Sequence, residues 1–119
     1  MKTRAAILEA PGSDLMIEEI EIDDPRPGEV LVELAGSGIC HTDVSAIGHE
    51  GSGVVTRVGD GVHHLAPGDH VVLSVGVHCG QCDACLSGRP YACSVAMAYS
   101  FGGVMPDGTK RLHGGAGDV

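Results

Sequence analysis

Four cysteines stand close together in the second half of this 119-residue chain and are its clearest candidates for chemistry. They lie in the segment CGQCDACLSGRPYAC with the spacing Cys-x2-Cys-x2-Cys-x7-Cys, at Cys79, Cys82, Cys85 and Cys93. Four thiolates at this spacing suit one tetrahedral Zn²⁺ with Zn–S distances of about 2.3 Å and no open position. Residues 78–94, named here the cysteine lobe, are too few to bury a core, so we expect metal binding to order them.

Two other interpretations of the cysteine lobe stay open. An iron–sulfur cluster also uses closely spaced Cys-x2-Cys-x2-Cys ligands, although its fourth ligand in ferredoxins stands in a Cys-Pro pair. A disulfide framework is disfavoured, because the chain has 5 Cys, an odd number, and its start MKTRAAILEAPGSD lacks the apolar run of a signal peptide. The sequence therefore favours structural zinc.

A second group of candidate ligands lies upstream, in GSGICHTD and GHEGSGVVTRVGDGV. Cys40 and His49 are ligands of mixed type, with the carboxylates of Asp43 and Glu50 close by in sequence. An open catalytic zinc site needs three protein ligands and keeps one position for water or substrate. A plainer interpretation also exists, since a Cys after an apolar strand is usually a small core residue. A His beside a Glu is, in the same way, usually a solvated pair.

The segments that must position these residues have the pattern of β-strands. Apolar residues alternate, imperfectly, with charged ones in LMIEEIEI, and VLVELAGSGIC places Val30, Val32 and Leu34 on one face of a strand. Gly- and Pro-rich turns separate the apolar runs. We predict strands at residues 3–10, 15–22, 30–40, 53–58 and 71–77, with a hairpin at 105–112. No helix of ordinary length is predicted, so the fold class is all-β.

Composition limits the classes of function. The chain has 7 Lys+Arg against 16 Asp+Glu, a formal charge of −9, which argues against a nucleic-acid partner. No segment approaches the roughly 18 to 20 apolar residues of a membrane helix. We therefore expect a cytoplasmic protein without a membrane partner. Aromatic residues make up only 3%, so the core must be mainly aliphatic and thin.

The two groups of ligands together resemble one known family. GHEGSGVVTRVGDGV fits the pattern Gly-His-Glu-x2-Gly-x5-Gly-x2-Val, GICHTD precedes it, and PGDHV and the four-cysteine segment follow it. These motifs resemble the zinc-dependent alcohol dehydrogenases of the medium-chain dehydrogenase/reductase family, in their N-terminal GroES-like catalytic domain. The resemblance covers nearly the whole chain. It implies a partly open barrel, spanning residues 1–119, with the zinc lobe protruding from it.

The resemblance also implies roles for individual residues. Cys40 and His49 correspond to ligands of the catalytic zinc, and Glu50 corresponds to the carboxylate behind that metal. Thr42 resembles the hydroxyl that relays the proton of the alcohol, and Asp43 resembles the carboxylate that orients the imidazole of His49. His41 stands where the family places a basic residue against the pyrophosphate of the cofactor.

Three departures from the family alter what the resemblance implies. A third cysteine ligand for the catalytic zinc is missing, because all five cysteines are already assigned. The nucleotide-binding domain is also missing, since no Gly-x-Gly-x-x-Gly opens a helix after a strand. Only eight residues, His41–Gly48, separate Cys40 from His49, where the family has a longer proline-containing loop. We expect a deletion or omitted residues between about Ser45 and Gly48.

These patterns lead to one main hypothesis and two alternatives. The main hypothesis is an incomplete catalytic domain of an NAD- or NADP-dependent alcohol dehydrogenase, an oxidoreductase acting on a small alcohol or aldehyde. We expect the complete enzyme to form a homo-oligomer and this chain alone to be inactive. The alternatives are a zinc-stabilised scaffold or interaction domain without catalysis, and a redox module with exchange thiols at Cys82 and Cys85.

Overall fold

Strands provide most of the regular structure in this computed structural model, which describes residues 1–7, 10, 12–41, 49–96, 105 and 108–113. The strands are β1 (Lys2–Ile7), β2 (Met16–Ile22), β3 (Val30–Ser37), β4 (Gly51–Val58), β5 (His70–Val72) and β6 (Leu112–His113). One helical turn, α1 (Asp83–Leu86), and a 3-10 turn (Pro90–Ala92) lie in the cysteine lobe. The all-β prediction is therefore confirmed.

The unit spanning Pro25–Phe101 contains an antiparallel sheet in the order β3-β4-β5. Alternate residues of β4 are buried, and Val55 at its centre is only 1% exposed. Gly53 permits this packing, because a Cβ at that position would overlap the backbone carbonyl oxygen of Glu33 on β3. Gly53 thus allows the backbones of β3 and β4 to approach closely, and Val55, two residues further along β4, forms the centre of the core.

The β3–β4 ladder determines where the candidate ligands lie. Its last strand pair is Ser37 with Gly51, and the amide of Gly38 donates to the carbonyl oxygen of Glu50 at 2.9 Å just beyond it. Cys40 follows β3 by three residues and His49 precedes β4 by two. Antiparallel pairing therefore directs both ligands to the same end of the sheet.

The other unit contains Met1–Asp24 and the described part of residues 102–119. Its antiparallel sheet has the order β1-β2-β6, and Ile20 on β2 is 4% exposed. The amide of Asp23 donates to the carbonyl oxygen of Arg111 at 3.0 Å, and His113 Nε2 lies 3.3 Å from the Asp23 carboxylate. These contacts fasten the short β6 to the end of β2.

Several predicted element bounds need correction. The strand predicted at 71–77 is wrong beyond residue 72, because the amide of Leu73 makes the last bond to the carbonyl oxygen of Gly51, where β4 begins. The strand predicted at 30–40 ends at residue 37, because its partner strand β4 begins at Gly51, opposite Ser37. The start of β4 lies two residues before the predicted 53. The bounds of a strand thus depend more on where its partner strand begins and ends than on the hydrophobic pattern of its own sequence.

The predicted hairpin at 105–112 is only partly described. The amide of Met105 donates to the carbonyl oxygen of Thr109 at 2.8 Å, which closes a turn at the expected place. Pro106 and Asp107 lie outside the described residues. Among the described residues from 105 to 113, regular strand structure is confined to β6 (Leu112–His113), which pairs with β2.

Val55 provides a test of how much the thin core contributes to stability. Val55→Ala should lower the free energy of unfolding by about 2 kcal/mol, because two buried methyl groups are lost and a cavity remains. Val72→Ala is the matched control, since Val72 is a strand valine that is 81% exposed. The control should change stability by less than about 0.5 kcal/mol. Equal losses by urea denaturation in the two variants would contradict this account.

Candidate functional site

The four sulfurs of the cysteine lobe converge on one point. All four lie within 4.8 Å of one another, with Cys82 and Cys85 sulfurs 3.5 Å apart and Cys79 and Cys93 sulfurs 3.7 Å apart. Ligands at about 2.3 Å from a tetrahedral zinc stand about 3.8 Å from each other. A disulfide would instead need about 2.05 Å. The donor set therefore fits a closed zinc site, and all five cysteines of the chain are free thiols.

Backbone turns, with little apolar burial, shape the lobe. Gly80 and Gly88 adopt positive φ angles of 73° and 76°, which L side chains rarely adopt. The amide of Arg89 donates to the carbonyl oxygen of Ala84 at 2.8 Å and thereby ends the helical turn α1. Within the lobe only Cys93 is buried. The turns of the lobe thus bring the four thiols together, and no hydrophobic core packs against them within residues 78–94.

The thiols of the lobe differ in acidity. The backbone amides of Cys85 and Ser94 face the Cys82 sulfur and lower the pKa of Cys82 from 9.0 to about 6. Partial burial, together with the side chain of Cys82, raises the pKa of Cys85 to about 11. The amides of Cys79 and Val95 lower the pKa of Cys93. Without a metal, Cys82 and Cys93 therefore carry thiolate charge more readily than Cys85 does, because backbone amides stabilise their sulfurs.

The second group of ligands also converges. Cys40 Sγ lies 3.2 Å from His49 Nε2, and both side chains are partly buried. A carboxylate oxygen of Glu50 completes a group whose three ligand atoms lie within 4.8 Å of one another. A tetrahedral zinc bound to sulfur and nitrogen holds these atoms about 3.6 Å apart. The distance between Cys40 Sγ and His49 Nε2 is thus within a few tenths of an ångström of the spacing that one zinc ion requires.

The remaining predicted site residues are His41, Thr42 and Asp43. His41 is exposed and lies outside both clusters of ligands among the described residues. Thr42 and Asp43 lie outside the described residues, as does the segment between Ser45 and Gly48 in which we expected a deletion. The structure thus brings Cys40, His49 and Glu50 together, and the roles of all six residues stay predictions.

Comparison with known proteins identifies the family. The model of the alcohol dehydrogenase GroES-like domain matches residues 26–117. The chain belongs to this family. The chain is 44% identical to the NDMA-dependent alcohol dehydrogenase of Amycolatopsis methanolica, over 99% of this chain and 35% of that protein. It is 42% identical to an S-(hydroxymethyl)glutathione dehydrogenase of Escherichia coli, over 94% of this chain and 34% of that protein.

Solved structures of this family have the same fold. An alcohol dehydrogenase zinc-binding domain protein from Burkholderia ambifaria superimposes with a TM-score of 0.89 at 40% identity, over 99% of this chain and 35% of that one. Benzyl alcohol dehydrogenase from Acinetobacter calcoaceticus gives a TM-score of 0.88 at 35% identity, over 94% of this chain and 34% of that one. These similarities confirm the GroES-like fold expected from the motifs.

This member of the family spans about a third of the length of the relatives it matches. The alignment with the Amycolatopsis enzyme runs over 130 residues, more than the 119 of this chain, so the relative has at least 11 residues without a counterpart here. A loop deletion of the kind expected between Cys40 and His49 would produce such an alignment. Its position in the chain stays a prediction.

One finding concerns membranes. Among the described residues of this GroES-like chain, no helix has the length and apolar character needed to cross a bilayer.

The unequal thiols of the metal-free lobe should react in a fixed order with pH. A thiolate forms above its pKa, so alkylation of Cys82 by iodoacetamide should reach half its maximal rate near pH 6. Alkylation of Cys85 should still be rising at pH 9, since its pKa is about 11. Mass spectrometry of the modified peptides measures both rates. In urea the two cysteines should titrate together, near the ordinary thiol pKa of about 8.5. Equal midpoints in the folded chain would refute the assignment.

Proposed function

We propose that this chain is the metal-binding catalytic portion of a zinc- and NAD(P)-dependent alcohol dehydrogenase. In the complete enzyme an alcohol would be oxidised to an aldehyde or ketone by hydride transfer to the nicotinamide. The observation that carries the proposal is the 3.2 Å separation of Cys40 Sγ and His49 Nε2, two ligands that the β3–β4 ladder brings together. Relatives named alcohol dehydrogenases, at up to 44% identity, support it.

Two metal sites with different tasks are proposed. Cys79, Cys82, Cys85 and Cys93 would hold a structural zinc, because four thiolates leave no position for substrate. Cys40, His49 and Glu50 would hold the catalytic zinc, because three donors leave a fourth position open. When bound there, zinc supplies a Lewis acid that lowers the pKa of an alcohol hydroxyl.

The residues of this chain would prepare that site in several ways. His49 would bind the metal through the lone pair of Nε2. The thiolate of Cys40 and the carboxylate of Glu50 together offer two negative charges to the ion. Partial burial of Cys40 and His49 limits the water that competes for the same positions.

The roles of the remaining residues are proposed from the family resemblance. Thr42 would pass the proton of the alcohol onward through its hydroxyl, which donates and accepts at once. Asp43 would orient the imidazole of His49 by accepting a hydrogen bond from its other nitrogen. His41, which is exposed, would contact the pyrophosphate of NAD or NADP.

The wider setting of the enzyme is also proposed. A nucleotide-binding domain elsewhere in a longer polypeptide would hold the nicotinamide within roughly 3 to 3.5 Å of the reacting carbon. Five free cysteines suit the reducing cytoplasm. We further propose a small alcohol or aldehyde as substrate, a homo-oligomeric complete enzyme, and no nucleic-acid partner, the last because the chain carries a net charge of −9.

A zinc-stabilised scaffold without catalysis is the second candidate. The cysteine count favours it, because four of the five cysteines lie in the lobe and leave the second group without a second thiolate. The number of bound metal ions separates the candidates. An enzyme site predicts two zinc ions per chain, a scaffold predicts one, and a redox module predicts none.

We predict two zinc ions per chain, measured by elemental analysis after gel filtration in micromolar zinc. Cys85→Ser should lose one ion and expose the lobe to proteolysis, because three thiolates cannot close the tetrahedron. His49→Ala should lose the other ion and leave the lobe intact. The matched controls Ser87→Ala and His63→Ala, at exposed positions, should keep two. Full zinc content in Cys85→Ser would refute the structural site.

The 119-residue chain by itself should not oxidise alcohols. Hydride transfer needs a bound dinucleotide, and this sequence has no Gly-x-Gly-x-x-Gly motif that opens a helix. The test is NAD(P)-dependent oxidation of a panel of primary and secondary alcohols by the zinc-saturated chain, with Cys40→Ala as the control. A longer polypeptide that adds a glycine-rich βαβ unit and a further cysteine ligand, which would take the place of Glu50 at the metal, should be active. Turnover by the short chain above its control would contradict the prediction.

A further inference from the structure

We propose that Gly38 is a positioning residue for the second metal site, because its missing side chain leaves the space that the Glu50 carboxylate occupies. The proposal rests on the proposed function, in which Cys40, His49 and Glu50 bind zinc. The three atoms nearest to a Cβ built at Gly38 all belong to Glu50. Gly38 would act through Glu50 alone.

The backbones at this point are unusually close. The amide of Gly38 donates to the carbonyl oxygen of Glu50 at 2.9 Å, which extends the β3–β4 pairing by one step beyond Ser37 and Gly51. A Cβ added at Gly38 would lie 3.3 Å from the Cβ of Glu50. Facing residues of antiparallel strands normally hold their Cβ atoms about 4.5–5.5 Å apart. Two side chains therefore do not fit here without a shift.

The carboxylate of Glu50 would have to make that shift. The added Cβ would lie 2.5 Å from Glu50 Oε2 and 3.4 Å from its Cδ. These atoms end a flexible and exposed side chain, so they can move at a small cost in stability. A carboxylate oxygen of Glu50 is also the atom that lies within 4.8 Å of the ligand atoms of Cys40 and His49. An alanine at position 38 thus acts mainly on the third donor, and its 3.3 Å contact with the Glu50 Cβ requires the two backbones to separate by only a few tenths of an ångström.

The conformation of Gly38 gives no other reason for a glycine. Gly38 is not among the residues with positive φ, so an alanine there carries no backbone strain. Gly36, two residues earlier on β3, provides a matched control. A Cβ at Gly36 would meet only Ser52 Oγ, at 4.0 Å, which is ordinary contact. The two substitutions therefore differ in what they do to Glu50 and agree in adding one methyl group near the end of β3.

The experiment is a cobalt titration of the full 119-residue chain. One equivalent of Zn²⁺ first fills the cysteine lobe, and Co²⁺ is then added while the thiolate-to-cobalt absorption of Cys40 is recorded. Gly38→Ala should weaken cobalt binding about tenfold, a loss typical of a displaced supporting group. It should also alter the visible cobalt bands, because the ligand field loses a carboxylate. Gly36→Ala should bind within about twofold of the unmodified chain.

A double-mutant cycle separates positioning from general damage. Glu50→Ala should weaken cobalt binding by a similar factor, and Gly38→Ala/Glu50→Ala should be no weaker than Glu50→Ala alone. Unchanged binding in Gly38→Ala would overturn the proposal, and so would a loss that persists without Glu50. If the unmodified chain binds no second metal, the proposed function fails first and this inference fails with it.

Folding is checked in parallel by circular dichroism and by the zinc content of the lobe. If Gly38→Ala unfolds while Gly38→Ala/Glu50→Ala folds, the conflict lies between the new methyl group and the Glu50 side chain, which supports the proposal. Unfolding of both variants would overturn it, because the added methyl group would then conflict with the backbone or with the Cβ that alanine retains at position 50.

Discussion

The pairing of β3 with β4 is the constraint on which the second metal site depends. The ladder runs from Val30 opposite Val58 to Ser37 opposite Gly51, and each candidate ligand lies a few residues past its end. The two chain segments must leave the sheet side by side, whatever the residues between them do. A change of length between Cys40 and His49 can therefore reshape a substrate pocket and still leave the two ligands in place.

The cysteine lobe rests on a different source of order. Its one buried residue is the ligand Cys93, whereas the core of the β3-β4-β5 sheet centres on Val55. The lobe thus has sulfurs at metal-like spacing, turns that require glycine, and almost no apolar burial. An ion would add most of the stability of the lobe, since apolar burial offsets little of the cost of ordering such a glycine-rich segment. The sheet, in contrast, can hold Cys40 beside His49 before any metal arrives.

The sequence predicted the two ligand groups better than the strand bounds. Cysteine spacing alone indicated the lobe, and the Gly-His-Glu pattern placed Cys40 with His49. Hydrophobic runs overextended the strand after His70, because alternation records burial and cannot show that β4 ends at Gly51. In the sequence, Gly38 is one of two glycines near the end of the strand predicted at 30–40. Its distance from the Glu50 carboxylate is a tertiary fact, because the two residues are twelve positions apart and meet only through the ladder.

Cys40, His49 and Glu50 would together offer a zinc ion the same charge as a site of two cysteines and one histidine. A site of two thiolates and one imidazole offers two negative charges to zinc, and so does a site of Cys40, His49 and Glu50. Both sets have three protein donors and leave one open position, which is what a catalytic zinc requires. The two sets differ in the hardness of their ligands. A carboxylate oxygen competes less well with water for the zinc ion than a thiolate does. The affinity of this site for zinc then depends on how firmly Glu50 is held. The absence of a side chain at Gly38 leaves the space in which the Glu50 carboxylate lies.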